Sequence, residues 1–331
     1  MDFFIVGLVI LALAFDYVNG MHDAANAIAT VVSTRVLSPR SAVLMAAIAN
    51  FVAFLFFGVT VATTIGKGII SPAAVTPYVI FSALIGAISW DLITWYYGIP
   101  VSSSHALIGG LIGAALFSRG FSSIVWTGLE KVALFIFLSP LVGLVISFLG
   151  MAFVLRCIRQ TAPSRINTFF SKGQIFSAFA YSLGHGGNDA QKTMGIISAL
   201  LFSAGYLGKE FYVPLWVVLC AHAAIGLGTL SGGWRIVKTM GHKITKLRPV
   251  HGFVAEASSS AVLFLSTYLG VPVSTTHVIS ASIMGVGSTR RFSAVKWGVA
   301  RKIVWAWVIT IPLSALMAGI AFMVIHFLAF V

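Results

Sequence analysis

Two short motifs carry most of the chemistry in this sequence, and each of them occurs twice. Residues 19–26 read Asn19-Gly20-Met21-His22-Asp23-Ala24-Ala25-Asn26, and residues 185–192 read His185-Gly186-Gly187-Asn188-Asp189-Ala190-Gln191-Lys192. The other pair is closer. Gly98-Ile99-Pro100-Val101-Ser102-Ser103-Ser104-His105 returns as Gly270-Val271-Pro272-Val273-Ser274-Thr275-Thr276-His277. A carboxylate beside an amide supplies the hard oxygen ligands that Na⁺ needs, or a group that can carry a proton. Successive hydroxyls where a helix begins add side-chain donors to unpaired amides and a partial positive charge. That combination suits a tetrahedral oxyanion such as phosphate or sulfate. Ordinary helix capping by Ser and Thr would draw on the same residues.

The first pair is offset by 166 residues (189 − 23) and the second by 172 (277 − 105), so the order and spacing of the motifs are duplicated as well. The chain therefore reads as two homologous repeats, 1–160 and 161–331, within a single domain.

These residues must be positioned in a membrane. Of 331 residues, 59% are hydrophobic and 9% charged. A soluble domain carries about 25% charged residues. Stretches 41–65, 211–230 and 303–331 hold few or no charges, each long enough to cross a hydrocarbon core of about 30 Å. The N-terminus runs straight into apolar sequence without a basic leader and reads as the first span. The fold class is an all-α polytopic membrane protein, with eight to ten helices by hydropathy. Cys157 and Cys220 lie in different segments and have no metal-ligand spacing.

The net charge of +13 does not signal nucleic acid. Lys and Arg gather in short loops: Arg35 and Arg40, residues 156–172, residues 235–248 and residues 290–302. Cytoplasmic connections collect such residues. With both termini outside, the first span brings Arg35 and Arg40 inside and segment 41–65 returns outside. Residues 73–97 and the short run 106–117 then form a re-entrant hairpin with its tip at 98–104, where Gly, Pro and Ser interrupt the helix. The second half repeats this plan from the inside, with its tip at 270–276. Every basic cluster then faces the cytoplasm, and the repeats are inverted, with about six full spans and two hairpins. Inverted repeats place the substrate site at their interface in many secondary transporters.

Of the eight acidic residues, Asp16, Asp23, Asp91, Asp189 and Glu256 fall within apolar stretches. A charge there costs about 2.5–3.5 kcal/mol on insertion scales, so function is the default reading. Interhelical ion pairing is the alternative, and it is weakest for Asp23 and Asp189 because both repeats carry them. Gly20, Gly184, Gly186 and Gly187 would permit an unwound stretch in the first helix of each repeat, freeing carbonyls for a cation. Close helix packing is the other use of such glycines.

The motif pairs, taken together, resemble the signature repeats of the inorganic phosphate transporter (PiT) family, over nearly the whole chain. The resemblance implies symport of inorganic phosphate with Na⁺ or H⁺, in some bacterial members as a neutral metal–phosphate complex. It implies no cofactor beyond the coupling cation. It assigns Asp23, Asn26, Asn188 and Asp189 to broken helices that hold substrate and cations. It assigns Ser102, Ser103, Ser104, Ser274, Thr275 and Thr276 to phosphate-facing tips. Glu256 matches an acidic position of the family.

Two departures bear on the coupling ion: His22 stands where the family often has Asn, and Lys192 where the first repeat has Asn26. Lys192 is one turn after Asp189 and placed to pair with it, beside the substrate. His22, His105, His185 and His277 are candidates for a proton relay or for plain hydrogen bonding. These readings give a carrier in the inner or plasma membrane, its apolar faces toward lipid and compatible with a homodimer. A sulfate carrier is the nearest alternative. A membrane hydrolase fits less well, since a nucleophile–base pair has no need of two symmetric halves.

Overall fold

The computed structural model describes residues 2–330, and these are helical almost throughout. The first half of the chain contains α1 (Phe3–Ser33), α2 (Pro39–Val52), α3 (Thr60–Gly68), α4 (Pro77–Tyr97), α5 (Ser103–Arg119) and α6 (Trp126–Cys157). The second contains α7 (Pro163–Ser203), α8 (Leu215–Ser231), α9 (Trp234–Lys238), α10 (Pro249–Tyr268), α11 (Thr275–Ser288) and α12 (Trp297–Phe330). Long helices thus open and close each half, with a bent pair and a hairpin between. Even the prolines inside helices correspond, Pro140 in α6 and Pro312 in α12, 172 residues apart (312 − 140).

Local sequence accounts for the hairpins. Gly98 and Gly270 end α4 and α10 in the left-handed region, at φ 67° in both cases, a conformation open to glycine at little cost. Pro100 and Pro272 follow and prevent continuation of the helix. Ser102 and Ser274 then cap the next helix, each accepting a hydrogen bond from the amide three residues on, at 3.3 and 3.2 Å. The returning arms pack along the outgoing ones. Gly110 abuts Ala83, and Ser259 donates to Ser282 at 2.9 Å. By length and apolarity alone α4 could cross a membrane; α5 returns along it.

The helix break lies elsewhere than the sequence suggested. α1 and α7 run unbroken through Asp23 and Asp189 for 31 and 41 residues. The second element of each half is the broken one. α2 and α3 are bent by 83° across residues 56–59, and α8 and the helix after Gly232-Gly233 by 63°. The glycines of the Asp motifs serve close packing. A Cβ on Gly186 would lie 2.6 Å from the Asn50 carbonyl oxygen of α2, and one on Gly20 would collide with the Ile225 carbonyl of α8. Small residues let membrane helices approach in this way. Gly186→Val should therefore cost about 1–3 kcal/mol or more, the usual penalty for overpacking, and lower the thermal unfolding temperature in detergent. Gly7→Ala, where nothing lies within 4 Å, should leave it unchanged; equal effects of the two would sink the packing argument.

The bent pairs hold the hairpin tips. Thr64 of α3 donates to the Gly270 carbonyl at 2.7 Å, and Thr60 to that of Thr267 at 3.0 Å. Thr239, just after α9, donates to the Gly98 carbonyl at 3.0 Å. Each closing helix packs on the hairpin of the other half, α12 against α4 and α5, α6 against α10 and α11. The outward faces of α6 and α12 expose Phe137, Phe153, Trp305 and Phe327, as lipid-facing helices do. Inside, one apolar cluster takes the early part of α1 and the late part of α7, and a second takes the late part of α1 and the early part of α7. The polar residues lie between the two.

Candidate functional site

Asp23 and Asp189 face each other from α1 and α7 with the His185 ring between them. His185 Nε2 is 3.3 Å from Asp189 Oδ2 and 3.9 Å from Asp23 Oδ2, and all three residues are buried. One ligand atom from each lies within 4.8 Å of the others, an arrangement able to hold a cation. His22 Nδ1 is 2.8 Å from Asp23 Oδ1, and its Nε2 is 3.2 Å from Thr94 Oγ1 on α4. Asn50 of α2 holds the far nitrogen of His185 at 3.0 Å. Helices α1 and α7 can carry these groups because 3- and 4-residue spacing puts His185, Asp189 and Lys192 on one face, as it does Asp23 and Asn26.

The hairpin tips close over the two aspartates in crossed fashion. Thr276, from the second hairpin, donates to Asp23 Oδ1 at 3.3 Å and accepts from Asn26 Nδ2 at 2.8 Å. Ser104, from the first, accepts a hydrogen bond from Lys192 Nζ, which also donates to Asp189 Oδ1. Thr275 donates to Asp189 Oδ2 at 3.0 Å. Lys192 reaches the second tip as well, donating to the Val273 carbonyl at 2.8 Å. Behind the tips the rings of His105 and His277 meet edge to face, 4.5 Å apart. At the start of α5 and α11 the amides of Ser103, Ser104, Thr275 and Thr276 have no acceptor among the described residues, as expected in a first helical turn. The Ser103 hydroxyl and the Asn26 amide oxygen are likewise buried and unpartnered. The site thus presents unpaired donors on the tips above carboxylates on the floor: anion and cation chemistry side by side.

A sequence profile of the phosphate transporter family matches residues 19–318, a stretch that includes both Asp motifs and both tips. The chain belongs to the phosphate transporter family. Among its relatives, a protein of Rhizobium meliloti described as a "probable low-affinity inorganic phosphate transporter" is 60% identical over 96% of this chain and 95% of that protein. A Bacillus subtilis protein of the same description is 46% identical over 96% of each. The fold matches a solved sodium-dependent phosphate transporter with a TM-score of 0.88, at 26% identity, over 98% of this chain and 100% of that one. The all-helical, multi-pass membrane architecture read from composition agrees with these relatives.

Within this family frame, the residues singled out from sequence divide into three groups. Asp23, Asn26 and Thr276 form one hydrogen-bonded group and Asp189, Lys192, Ser104 and Thr275 a second, with the His185 ring between the two. Ser102 and Ser274 cap helices, which occupies one lone pair and leaves their hydroxyl protons free. Asn188 and Glu256 stand apart from both hydrogen-bonded groups. Asn188 turns to the backbone of the second tip, donating to Thr267 Oγ1 at 2.9 Å and the Val271 carbonyl at 3.3 Å while accepting from the Val273 amide at 3.3 Å. It shapes that tip. Glu256, on α10, receives hydrogen bonds from Thr30, Ser177 and Gln174, in a separate polar pocket about two turns from Asp23 along α1. His22 and His185 touch the aspartates, whereas His105 and His277 pack on each other.

Several contributors gave no sign in the sequence. Tyr181 donates to the Thr275 carbonyl at 3.1 Å. Trp307 of α12 stacks on His277 and donates to the Pro100 carbonyl at 3.1 Å, so it touches both tips. Gln191 accepts from the amides of Val61 and Ala62 at 2.9 and 3.2 Å, satisfying the open end of α3. Gln191 alone had a signal, its place inside the Asp motif. The others look like ordinary span residues.

Proposed function

We propose that this chain is a symporter of inorganic phosphate, taking the substrate between the two hairpin tips and coupling its passage to a cation at Asp23 and Asp189. The observation that carries this reading is the meeting of two helix starts, with unpaired amides and hydroxyls, over two buried carboxylates. Lys192 already pairs with Asp189; a bare anion beside the remaining Asp23 charge would be repelled, and a cation bound there first neutralises it and admits the anion. The two ligands then raise each other's affinity by the same factor. The two halves, 1–160 and 161–331, act as inverted repeats that rock against each other to open the site alternately. Contacts between the halves support this, since Asp23 of the first meets Thr276 of the second, and Lys192 of the second meets Ser104 of the first.

The protein sits in the inner or plasma membrane with both termini outside. In support, Arg159, Arg248 and Arg290, from three different loops, line a single cavity at one end of the molecule, and basic loops face the cytoplasm. Transport relatives and a duplicated site argue against an enzyme. The Asp23–His185–Asp189 cluster would also accept phosphate arriving as a metal complex, the metal being cargo.

The test is uptake of radiolabelled phosphate into proteoliposomes, under an imposed Na⁺ gradient and separately under a pH gradient, with sulfate and arsenate as competitors. Saturable uptake driven by either gradient and blocked by arsenate but not sulfate supports the symporter and names its cation. Entry of sulfate in place of phosphate would replace the substrate assignment, and unsaturable flux without a gradient would make the protein a channel.

A further inference from the structure

The two half-sites are built alike but filled differently. In the first, Asp23 and Asn26 lie one turn apart under Thr276; in the second, Asp189 and Lys192 lie one turn apart under Ser104. Thr276 and Ser104 hold the same place in their tips, 172 residues apart (276 − 104). The two places differ in some neighbours, His22 and His185 among them, but the residue one turn after the Asp is an amide in one half and an ammonium in the other.

The surroundings of that ammonium are those of a bound cation. Lys192 Nζ contacts a carboxylate oxygen of Asp189, the hydroxyl oxygen of Ser104 and the backbone carbonyl of Val273. An ammonium has three protons, and here three oxygens receive them. Carboxylate, hydroxyl and carbonyl are also the oxygen types that bind a hard metal cation. The side chain is buried, so solvent does not share in this coordination. The two half-sites differ in how their oxygens are satisfied. Both oxygens of Asp189 are engaged, whereas Asn26 Oδ1 has no partner.

We infer that Lys192 is a resident cation, permanently filling the coupling-ion position of the second half-site, so that only the first half-site takes an exchangeable cation. This rests on the symport reading above and adds its stoichiometry. A tethered charge neutralises Asp189 in every state of the cycle. It needs no binding or release, and it leaves the carrier moving one cation fewer per phosphate than a protein with two open half-sites. By touching both tips, through Ser104 and Val273, it also holds the anion-binding surfaces together when no mobile ion is present.

The experiment compares the parent with Lys192→Asn, which copies the first half-site into the second. Thermal unfolding of each purified protein is followed in NaCl and in choline chloride. Any gain of the parent in NaCl comes from the first half-site alone. The variant should be destabilised in choline and recover in NaCl, because Na⁺ replaces the missing ammonium and binds only the folded state. In proteoliposomes the dependence of phosphate uptake on Na⁺ should steepen, the Hill coefficient rising by about one as a second cooperative site opens. A variant whose stability and uptake depend on cations as the parent's do would overturn the proposal. Failure of the variant to fold in either salt would overturn it equally, since an oxygen set made for a cation should accept Na⁺. A parent that carries no phosphate would defeat the symport reading alone; the unfolding comparison would still decide the role of Lys192.

Discussion

Asp189→Asn should be the most destabilising single substitution in the polar layer. The change keeps the shape of the side chain but strips the counter-charge from a buried ammonium that has no other acid in contact. Removing one partner of a buried ion pair typically costs about 3–5 kcal/mol, because the remaining charge is left uncompensated in a dry interior. The expected result is loss of monodisperse protein in mild detergent and a large fall in thermal stability. Adding Lys192→Met to Asp189→Asn removes the stranded charge and should recover most of the folded protein without restoring transport. If Asp189→Asn alone unfolds at the parent's temperature, the pair is not the electrostatic centre described here.

Ser103→Pro should have the largest effect on phosphate with the least on folding. Ser103 is the first residue of α5, where a proline is well tolerated because the amide it removes has no helical partner. The preceding residue, Ser102, is already extended at φ −105° and ψ 114°, as a residue before proline must be. What the substitution deletes is one unpaired amide and one buried hydroxyl without a hydrogen-bond partner at the tip. Hydrogen bonds to a charged group contribute about 1.5–3 kcal/mol each, so apparent phosphate affinity should fall by roughly 100-fold. Measured as KM for uptake beside an unchanged unfolding temperature, that outcome places the anion at the tip. A KM within a few-fold of the parent's would move the anion elsewhere.

Much of the architecture was legible because duplication and composition are properties of the whole chain. The two Pro-Val-Ser tips announced hairpins: glycine at a left-handed position, proline, then a capping serine is a local code for stopping one helix and starting another. Lys192 could be paired with Asp189 from its spacing alone. The position of the break was not legible, since a glycine that lets a helix unwind and one that lets a neighbour approach are the same residue in the sequence. Only the Asn50 and Ile225 carbonyls, lying against Gly186 and Gly20, decide between them. The actual breaks, at residues 56–59 and at Gly232-Gly233, sit inside runs that read as plain spans. Asn188 and Glu256 show a further limit. A polar residue at depth signals that something must be satisfied there, but whether it serves substrate or scaffold depends on partners from other helices.

The exchange of closing helices between the halves has a consequence for how the protein is made. The chain emerges from its N-terminus, and domains generally fold in the order of their synthesis. Here the first hairpin, with its row of hydroxyls, finds most of its cover in α12, which is made after both hairpins. Until α12 follows, that hairpin sits in the bilayer against transient neighbours, and Trp307, which joins the two tips, is made later than either of them. Neither half can mature without the other. Assembly of the proposed binding site therefore waits for α12, and a chain interrupted before it yields an unfinished protein rather than a leaky one.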